Sequence, residues 1–209
     1  VQNGKKRGQY RLAEAQAGLA IQILTFMPLR IKNLTDLTFD EHIFLRPGGT
    51  STLLIREEEA KSGKGVEFDI PPALAERLIE YRHSIAARII GRPPDRLFTK
   101  VDGSPKGTRV VRYLIERYMK LYVGIHMNPH VFRHLAAKFI LDANPSAHVV
   151  VQHLLGHTNV QTTATFYAGM DTRRAGRHHQ ALLEASLARA EEQAKASVKS
   201  SKRRRGRRV

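Results

Sequence analysis

The hydrophobic periodicity of this chain changes twice along its length. Residues 11–26 carry apolar side chains at helical spacing, and residues 42–71 carry them in the shorter alternation of β-strands. After residue 71, the apolar residues again recur at helical spacing. The strand region holds only a few strands. The pattern therefore predicts a mixed α+β, mainly α fold: a helical domain with a small antiparallel β-sheet near the N-terminal third.

Three segments in the middle region have the composition of strands. They are "HIFLR" at 42–46, "TSTLLIREEE" at 50–59 and "GVEFDIP" at 65–71. The segment "AKSGKG" at 60–65 separates the last two, and its glycines tolerate a positive φ. We therefore predict a tight turn there. A short helical turn is expected around Arg30 and Leu34, just before the sheet.

The rest of the chain predicts a series of amphipathic helices, the first of which starts at Pro71 and Pro72. A further helix is expected in "NPSAHVVVQHLLGH", and a last one over 173–195 with Leu183 and Leu187 on one side. Three of these helices have clear apolar stripes. The stripe of the helix that starts at Pro71 and Pro72 is Leu74, Leu78, Tyr81, Ile85 and Ile89. The next two stripes are Val111, Leu114, Ile115, Tyr118 and Leu121, and then Phe132, Leu135, Ala136, Phe139 and Ile140.

The composition excludes several kinds of protein. With 209 residues and 42% hydrophobic residues, the chain suits one globular core. No apolar run approaches the roughly 20 residues of a membrane span. There is no cysteine, which excludes disulfides, thiolate metal sites and a cysteine nucleophile. We therefore expect a protein of the reducing cytoplasm.

Positive charge is concentrated at the two ends of the chain. The net charge is +16, from 35 basic and 19 acidic residues. Residues 199–209 hold seven basic residues and residues 1–11 hold four, so the middle carries 24 basic residues against 19 acidic ones. Such ends favour a polyanionic partner, although basic tails also serve as disordered solubility or localisation segments.

A histidine and arginine cluster opens the helix predicted from "HVFRHLAAKFIL" at 130–141. Helical spacing places Arg133 at the edge of the apolar stripe, half-buried, with His130 further round the helix. The planar guanidinium of arginine matches phosphate oxygens. The cluster of His130, Arg133 and His134 is thus either a binding site for one phosphate or a solvated helix end.

Three further residues stand in unusual places. Arg30 lies in a turn between Leu29 and Ile31, His157 follows Gly156 at the end of "LLGH", and Tyr167 lies in "TTATFYAG". Taken one at a time, each also has an ordinary explanation as a surface or core residue. The threonines before Tyr167 disfavour a long helix, so this tyrosine is expected on a mobile segment.

Taken together and in this order, the motifs resemble the catalytic domain of the tyrosine recombinase, or phage integrase, family. The resemblance rests on "LRIKNL", "AKSGKG", "HVFRH", "LLGH" and a tyrosine ten residues after the last histidine. It covers residues 11 to about 185. It implies a site-specific DNA recombinase of a mobile genetic element, which cleaves and rejoins DNA through a covalent 3′-phosphotyrosine.

The resemblance also implies the role of each residue. Arg30 and Arg133 would clamp the nonbridging phosphate oxygens, and His157 would add a hydrogen bond. His130 would act as the general base toward Tyr167, the nucleophile. Lys61 in the turn would protonate the leaving 5′ oxygen, with Lys64 as the alternative acid. Together the implied catalytic residues are Arg30, Lys61, His130, Arg133, His157 and Tyr167.

The resemblance implies no cofactor, because the arginines supply the positive charge that a metal would provide. The pairs His130 with His134 and His153 with His157 have metal-ligand spacing, but neither has a third ligand. We therefore expect no metal.

The sequence departs from the family pattern at three positions. Pro28 stands where glycine usually precedes the leucine–arginine pair, and Asn33 stands where a supporting glutamate is usual. The tyrosine often falls nine residues after the second histidine, but that position is Phe166, which cannot be a nucleophile. The family's N-terminal DNA-clamping domain is not in this sequence, so we expect a fragment.

These observations give an expected organisation and partners. Residues 1–10 are expected to be a basic linker, 11–198 the catalytic domain, and 199–209 a basic disordered tail. By resemblance, the partner is double-stranded DNA, on which the protein forms a homotetramer, and a monomer or weak oligomer forms without it. We expect this to occur in the bacterial cytoplasm, at the nucleoid.

Three other functions remain open. A type IB topoisomerase-like enzyme has the same kind of site but relaxes one duplex without exchanging partners. A non-catalytic DNA-binding protein would use only the basic ends. A helical interaction module would have no role with DNA.

Overall fold

The computed structural model describes residues 2–61, 63, 65–144 and 146–155. Several sequence predictions lie outside these residues: His157, Tyr167, Lys64, the helix expected over 173–195, and the basic tail. The described residues all fall within one compact unit. None of the helices in these ranges combines the length and the apolar character that crossing a bilayer requires.

A long helix and a small sheet form the N-terminal half of the described chain. Helix α1 covers Gln2–Phe26 and α2 covers Ile31–Asp36. Strands β1 (Ile43–Phe44), β2 (Ser51–Ile55) and β3 (Val66–Ile70) follow. A single 3₁₀ turn, Glu57–Glu59, lies after β2. Because α1 begins at Gln2, residues expected to form a linker are helical.

The sheet has the simple order β1-β2-β3 with both pairs antiparallel. Ile43 pairs with Leu53, which in turn pairs with Phe68. Alternate residues of β2 are buried, as expected for a sheet with one face on the core. The predicted small antiparallel sheet is confirmed, and its β2–β3 hairpin presents the "AKSGKG" turn.

Helices form the rest of the described structure. Helix α3 (Pro72–Glu80) continues through one π-helical segment, Tyr81–Ala86, into α4 (Ala87–Ile90). It ends at Gly91, whose φ of 94° is the left-handed conformation that ends many helices at glycine. The remaining helices are α5 (Thr108–Tyr122), α6 (Pro129–Ala143) and α7 (His148–Leu155).

The core joins α1 to the sheet and to the helices that follow it. The predicted stripe of α3 is confirmed for Leu74, Leu78 and Tyr81, which are buried. The stripe of α5 holds at Val111, Leu114 and Ile115 but is wrong at Leu121, which is 63% exposed. The described core includes Leu12, Leu19, Ile23, Leu24, Leu34, Leu37, Leu53, Ile55, Phe98, Val111, Ile115 and Phe132.

The predicted stripe of α6 is confirmed at Phe132, which is buried, but it is wrong at two other positions. Leu135 and Phe139, which the stripe placed inside, are 37% and 71% exposed. The buried positions include Pro129, Arg133 and Ala137, which follow one another at four-residue spacing. The apolar pattern misplaced this face because the helix turns an arginine inward.

A polar network lies inside the core between α1 and α3. The side-chain nitrogen of Gln16 is 2.7 Å from the Tyr81 hydroxyl and 3.0 Å from the Thr99 carbonyl oxygen. The Tyr81 hydroxyl donates to the Leu97 carbonyl oxygen at 2.8 Å, and Lys106 donates to the Gln16 amide oxygen. Burial raises the pKa of Tyr81 to about 12 and lowers that of Lys106 to about 8. This network fixes the loop of residues 97–106 to both helices.

We expect Gln16→Leu to destabilise the protein although it adds an apolar side chain. The change removes the partner of Lys106 and Tyr81 in a buried place, which should lower the free energy of unfolding by about 2–4 kcal/mol. Urea unfolding followed by circular dichroism measures this. The control is Gln9→Leu, an exposed glutamine of the same helix, which should change stability little. Equal effects of the two changes would contradict a structural role for the network.

Candidate active site

Arg133 is the most buried charged side chain of the candidate site. It is only 5% exposed, so the expectation of a half-buried arginine at the edge of a stripe is wrong. Its Nη1 donates to the Pro28 carbonyl oxygen at 2.5 Å, and its Nη2 donates to the Leu155 carbonyl oxygen at 2.6 Å. Charge-assisted hydrogen bonds of this kind offset the cost of burying the guanidinium.

These two bonds link segments that are far apart in the sequence. Pro28 precedes Arg30 by two residues, and Leu155, the last residue of α7, precedes His157 by two. Arg133 therefore fixes the chain beside two other predicted site residues. A guanidinium has five N–H donors, so it can hold both carbonyls and contact other acceptors as well.

A small hollow, here called the arginine hollow, brings these segments together. Arg30 and Arg133 both line it, and so does Ala60, the residue before Lys61. The remaining lining residues come from the start of α2, from β3 and from the end of α7: Pro28, Leu29, Asn33, Val66, Phe68, Leu154 and Leu155. The arginines predicted from two distant motifs thus share one concave surface.

Arg30 occupies the position just before α2. Its backbone is extended, with φ −68° and ψ 143°, and its carbonyl accepts the Leu34 N–H at 3.0 Å. The side chain is half-buried. Since Pro28 and Leu29 are buried on one side and Leu34 on the other, the backbone that carries Arg30 is held firmly.

Lys61 is exposed at the start of the β2–β3 turn. Gly63 in this turn has a φ of 61°, which confirms the predicted use of positive φ. Its N–H donates to the Ala60 carbonyl oxygen at 2.8 Å. The turn therefore begins at the rim of the arginine hollow and presents Lys61 to solvent.

The two histidines of "HVFRH" contact each other. The rings of His130 and His134 lie edge to face, with centroids 4.4 Å apart. Asn128 caps the helix, since its side-chain oxygen accepts the N–H of His130 at 2.9 Å and that of Val131 at 3.3 Å. The cap and the preset φ of Pro129 fix the direction in which α6 begins.

Both histidines have lowered pKa values. For His130, partial burial is the largest cause, followed by the positive charges of Arg133 and Arg112. For His134 the causes are burial and the neighbouring His130 and Arg133. Both imidazoles are therefore neutral at pH 7, and a neutral imidazole can accept a proton.

The site has contributions that the sequence pattern did not indicate. Two are main-chain carbonyls, at Pro28 and Leu155, which no residue type encodes. A third is the cap at Asn128. The Asn–Pro pair at 128–129 is a helix-start signal that could have predicted the cap. Among the residues in the described ranges, no three histidine or acidic side chains are grouped as metal ligands.

Comparisons with known proteins identify the family of this chain. The model of the phage integrase family matches residues 9–174, so the chain belongs to the phage integrase family. It is similar to the tyrosine recombinase XerC of Pseudomonas putida strain W619, with 27% identity over 139 residues that cover 66% of this chain and 43% of that protein. A second relative, XerC of Treponema denticola, is 38% identical over 77 residues, which cover 36% and 25% of the two chains.

Solved structures share the fold. The XerH recombinase bound to a palindromic difH substrate matches with a TM-score of 0.60 and 21% identity, over 82% of this chain and 50% of that one. XerA recombinase matches with a TM-score of 0.55 and 22% identity, over 76% and 55%. This chain spans less than half the length of the XerC relatives named here.

We expect Arg133→Lys to loosen the end of α7. An ammonium cannot hold two carbonyls on opposite sides with a planar fork, so the free energy of unfolding should fall by about 1–3 kcal/mol. Urea unfolding measures the loss, and faster hydrogen exchange of the α7 amides locates it. The control is Lys138→Gln on the exposed side of α6, where an i,i+4 pair with Asp142 is worth about 0.5 kcal/mol at most. Equal losses of unfolding free energy in the two variants would contradict the role of Arg133 in holding the end of α7.

Proposed function

We propose that this chain is the catalytic part of a site-specific DNA recombinase that cleaves and rejoins DNA through a covalent 3′-phosphotyrosine. One observation carries the proposal: Arg30, Arg133 and the residue before Lys61 line a single hollow, although 103 residues separate the two arginines. Membership of the phage integrase family supports it. So do relatives that bear the name tyrosine recombinase.

The chemistry of the phosphodiester explains why two arginines are needed. Negative charge builds on the nonbridging oxygens as the phosphorus is attacked, and fixed positive donors lower the energy of that state. In our proposal Arg30 and Arg133 hold these oxygens, and His157 adds a hydrogen bond. Their charges take the place that metal ions occupy in other phosphoryl-transfer enzymes.

In our proposal, the remaining residues carry out the nucleophilic attack and the proton transfers. The phenol oxygen of Tyr167 attacks phosphorus and gives its proton to His130, whose lowered pKa leaves it able to accept one. The bond between phosphorus and the 5′ oxygen breaks, and Lys61 donates a proton to that oxygen. The phosphotyrosine keeps the energy of the phosphodiester, so a 5′ hydroxyl of another strand reverses the same steps.

The basic surface near the site supports DNA as the partner. Exposed basic residues run along α5, and one of them, Arg112, acts electrostatically on His130. The N-terminal part of α5 therefore lies close to the proposed base. The exposed basic residues of α5 are Arg109, Arg112, Arg117 and Lys120.

The assembly and organisation follow from the same proposal. Exchange between two duplexes needs four active sites, so we infer a homotetramer on double-stranded DNA. We place the catalytic domain at residues 11–198, with basic segments on either side that add salt-dependent affinity. The relatives are bacterial, and we infer that the protein acts on DNA in the bacterial cytoplasm.

We expect Tyr167→Phe to abolish the covalent adduct and to leave DNA binding intact, because only the nucleophilic oxygen is removed. A pool of nicked duplexes with a randomised core serves as the probe, and adducts are recovered after denaturation. The attached tyrosine is located by mass spectrometry. The control is Tyr122→Phe, a change at an exposed tyrosine of α5, which should leave the yield unchanged.

Two results of the same assay contradict the proposal. An adduct that persists in Tyr167→Phe places the nucleophile elsewhere. The absence of any adduct with the unmodified protein favours a non-catalytic DNA-binding protein. Adding a second duplex distinguishes recombination from topoisomerase-like relaxation, because only recombination yields strands joined between the two duplexes.

We expect the pH profile of cleavage to report His130. Cleavage should be independent of pH above the lowered pKa of His130 and should fall as the pH decreases through it, because the protonated ring cannot accept the phenol proton. Arg112→Gln removes one of the charges that lowers this pKa, so the acid limb should move to higher pH. Arg117→Gln, on the same helix, is the control. Identical acid limbs in all three proteins would exclude His130 as the base.

A further inference from the structure

A buried histidine lies beneath the hairpin that carries Lys61. His42 precedes β1 and is 6% exposed. The backbone N–H of Thr38 donates to its Nδ1 at 3.1 Å, so Nδ1 is an acceptor and the ring proton is on Nε2. Nε2 lies 2.8 Å from Glu59 Oε1 and therefore donates to that carboxylate. The Thr38 hydroxyl oxygen also lies 2.6 Å from Nδ1, and the contacts at both ring nitrogens hold the ring in one orientation toward Glu59.

Glu59 closes the first turn after β2. Its other carboxylate oxygen accepts the backbone N–H of Arg56 at 3.0 Å, which ties the end of the 3₁₀ turn to the residue before it. Partial burial would raise the pKa of Glu59, but the bonds from Arg56 and His42 outweigh it and hold the pKa below its usual value. The carboxylate is therefore charged at neutral pH and binds on two sides.

The next two residues lead into the proposed site. Ala60 is buried and lines the arginine hollow, and its N–H donates to the Arg56 carbonyl oxygen at 3.2 Å. Lys61 follows it directly. On the other side of the hairpin, a Cβ added at Gly65 would lie 3.0 Å from the Ile55 carbonyl oxygen, so the two arms approach closely there. The base of the turn is thus narrow at Gly65 and is held by the hydrogen bonds of Glu59.

We propose that His42 and Glu59 are positioning residues for Lys61: they hold the base of its turn at the rim of the arginine hollow so that the ammonium can reach the leaving 5′ oxygen. The inference rests on the proposed function and assigns a role to two residues outside the six predicted catalytic ones. Neither residue lines the arginine hollow itself. They act through the backbone of residues 59–61.

The leaving group provides the test. A 5′ oxygen needs a proton when it leaves, whereas a sulfur atom at the same position leaves as a thiolate without one. A defect in proton delivery is therefore repaired by sulfur, but a defect in phosphate binding or folding is not. Duplexes recovered by covalent capture are synthesised in both forms, and single-turnover cleavage is measured with the full chain.

We expect Glu59→Ala to slow cleavage of the oxygen substrate on the order of tenfold or more and to leave cleavage of the sulfur substrate close to the unmodified rate. Lys61→Ala should behave in the same way. Arg30→Gln should be slow on both substrates. The matched control is Glu58→Ala, which removes an exposed carboxylate one residue away and should change neither rate.

Each outcome decides the inference. Equal losses of Glu59→Ala on both substrates, or no loss on either, would overturn it while the proposed function stands. If the unmodified protein forms no adduct, both fail together. Should Glu59→Ala melt below the assay temperature, Glu59→Gln carries the test, because it keeps the side-chain volume but offers only one acceptor oxygen. A smaller loss that sulfur repairs supports the inference, and an unrepaired loss overturns it.

Discussion

The buried guanidinium of Arg133 is the interaction on which the candidate site depends. Its two carbonyl bonds hold together the segment before α2, the start of α6 and the end of α7. No single helix or strand contains more than one of these segments. Hydrophobic packing alone could therefore leave them free to shift relative to one another by small distances. Hydrogen bonds from a rigid planar group have narrow geometry and remove that freedom. The shape of the arginine hollow follows from this one side chain.

Buried polar groups recur wherever a loop must be fixed. Gln16 fixes the loop of residues 97–106, and the His42–Glu59 pair fixes the turn after β2. Gln16 and His42 are themselves buried, where a polar group without a partner would be costly. In the proposed reaction, these few contacts would supply the accurate placement of side chains that attack at a single phosphorus atom demands.

The sequence was a good guide to the elements and a partial guide to the site. Strand alternation located the sheet, and helical stripes located α3 and α5, because period and burial are directly linked. The pattern failed on α6, where it assumed that apolar residues define the inner face. Arg133 lies on the inner face because main-chain oxygens accept its hydrogen bonds. The residue types in the sequence do not reveal such partners. Arg30 and Arg133 were identified by resemblance, but their common hollow, the Asn128 cap and the His42–Glu59 pair required coordinates.

Arg133 binds the peptide oxygens of residues 28 and 155 rather than their side chains. Its two hydrogen bonds therefore depend on the course of the backbone at these positions and not on the type of side chain there. The side chains of Pro28 and Leu155 take no part in these two bonds, although both residues are buried. Pro28 has no backbone N–H to donate, but it keeps the carbonyl oxygen that Arg133 binds. A different residue at position 28 or 155 can therefore accept the same hydrogen bond, provided that its side chain fits the same buried space.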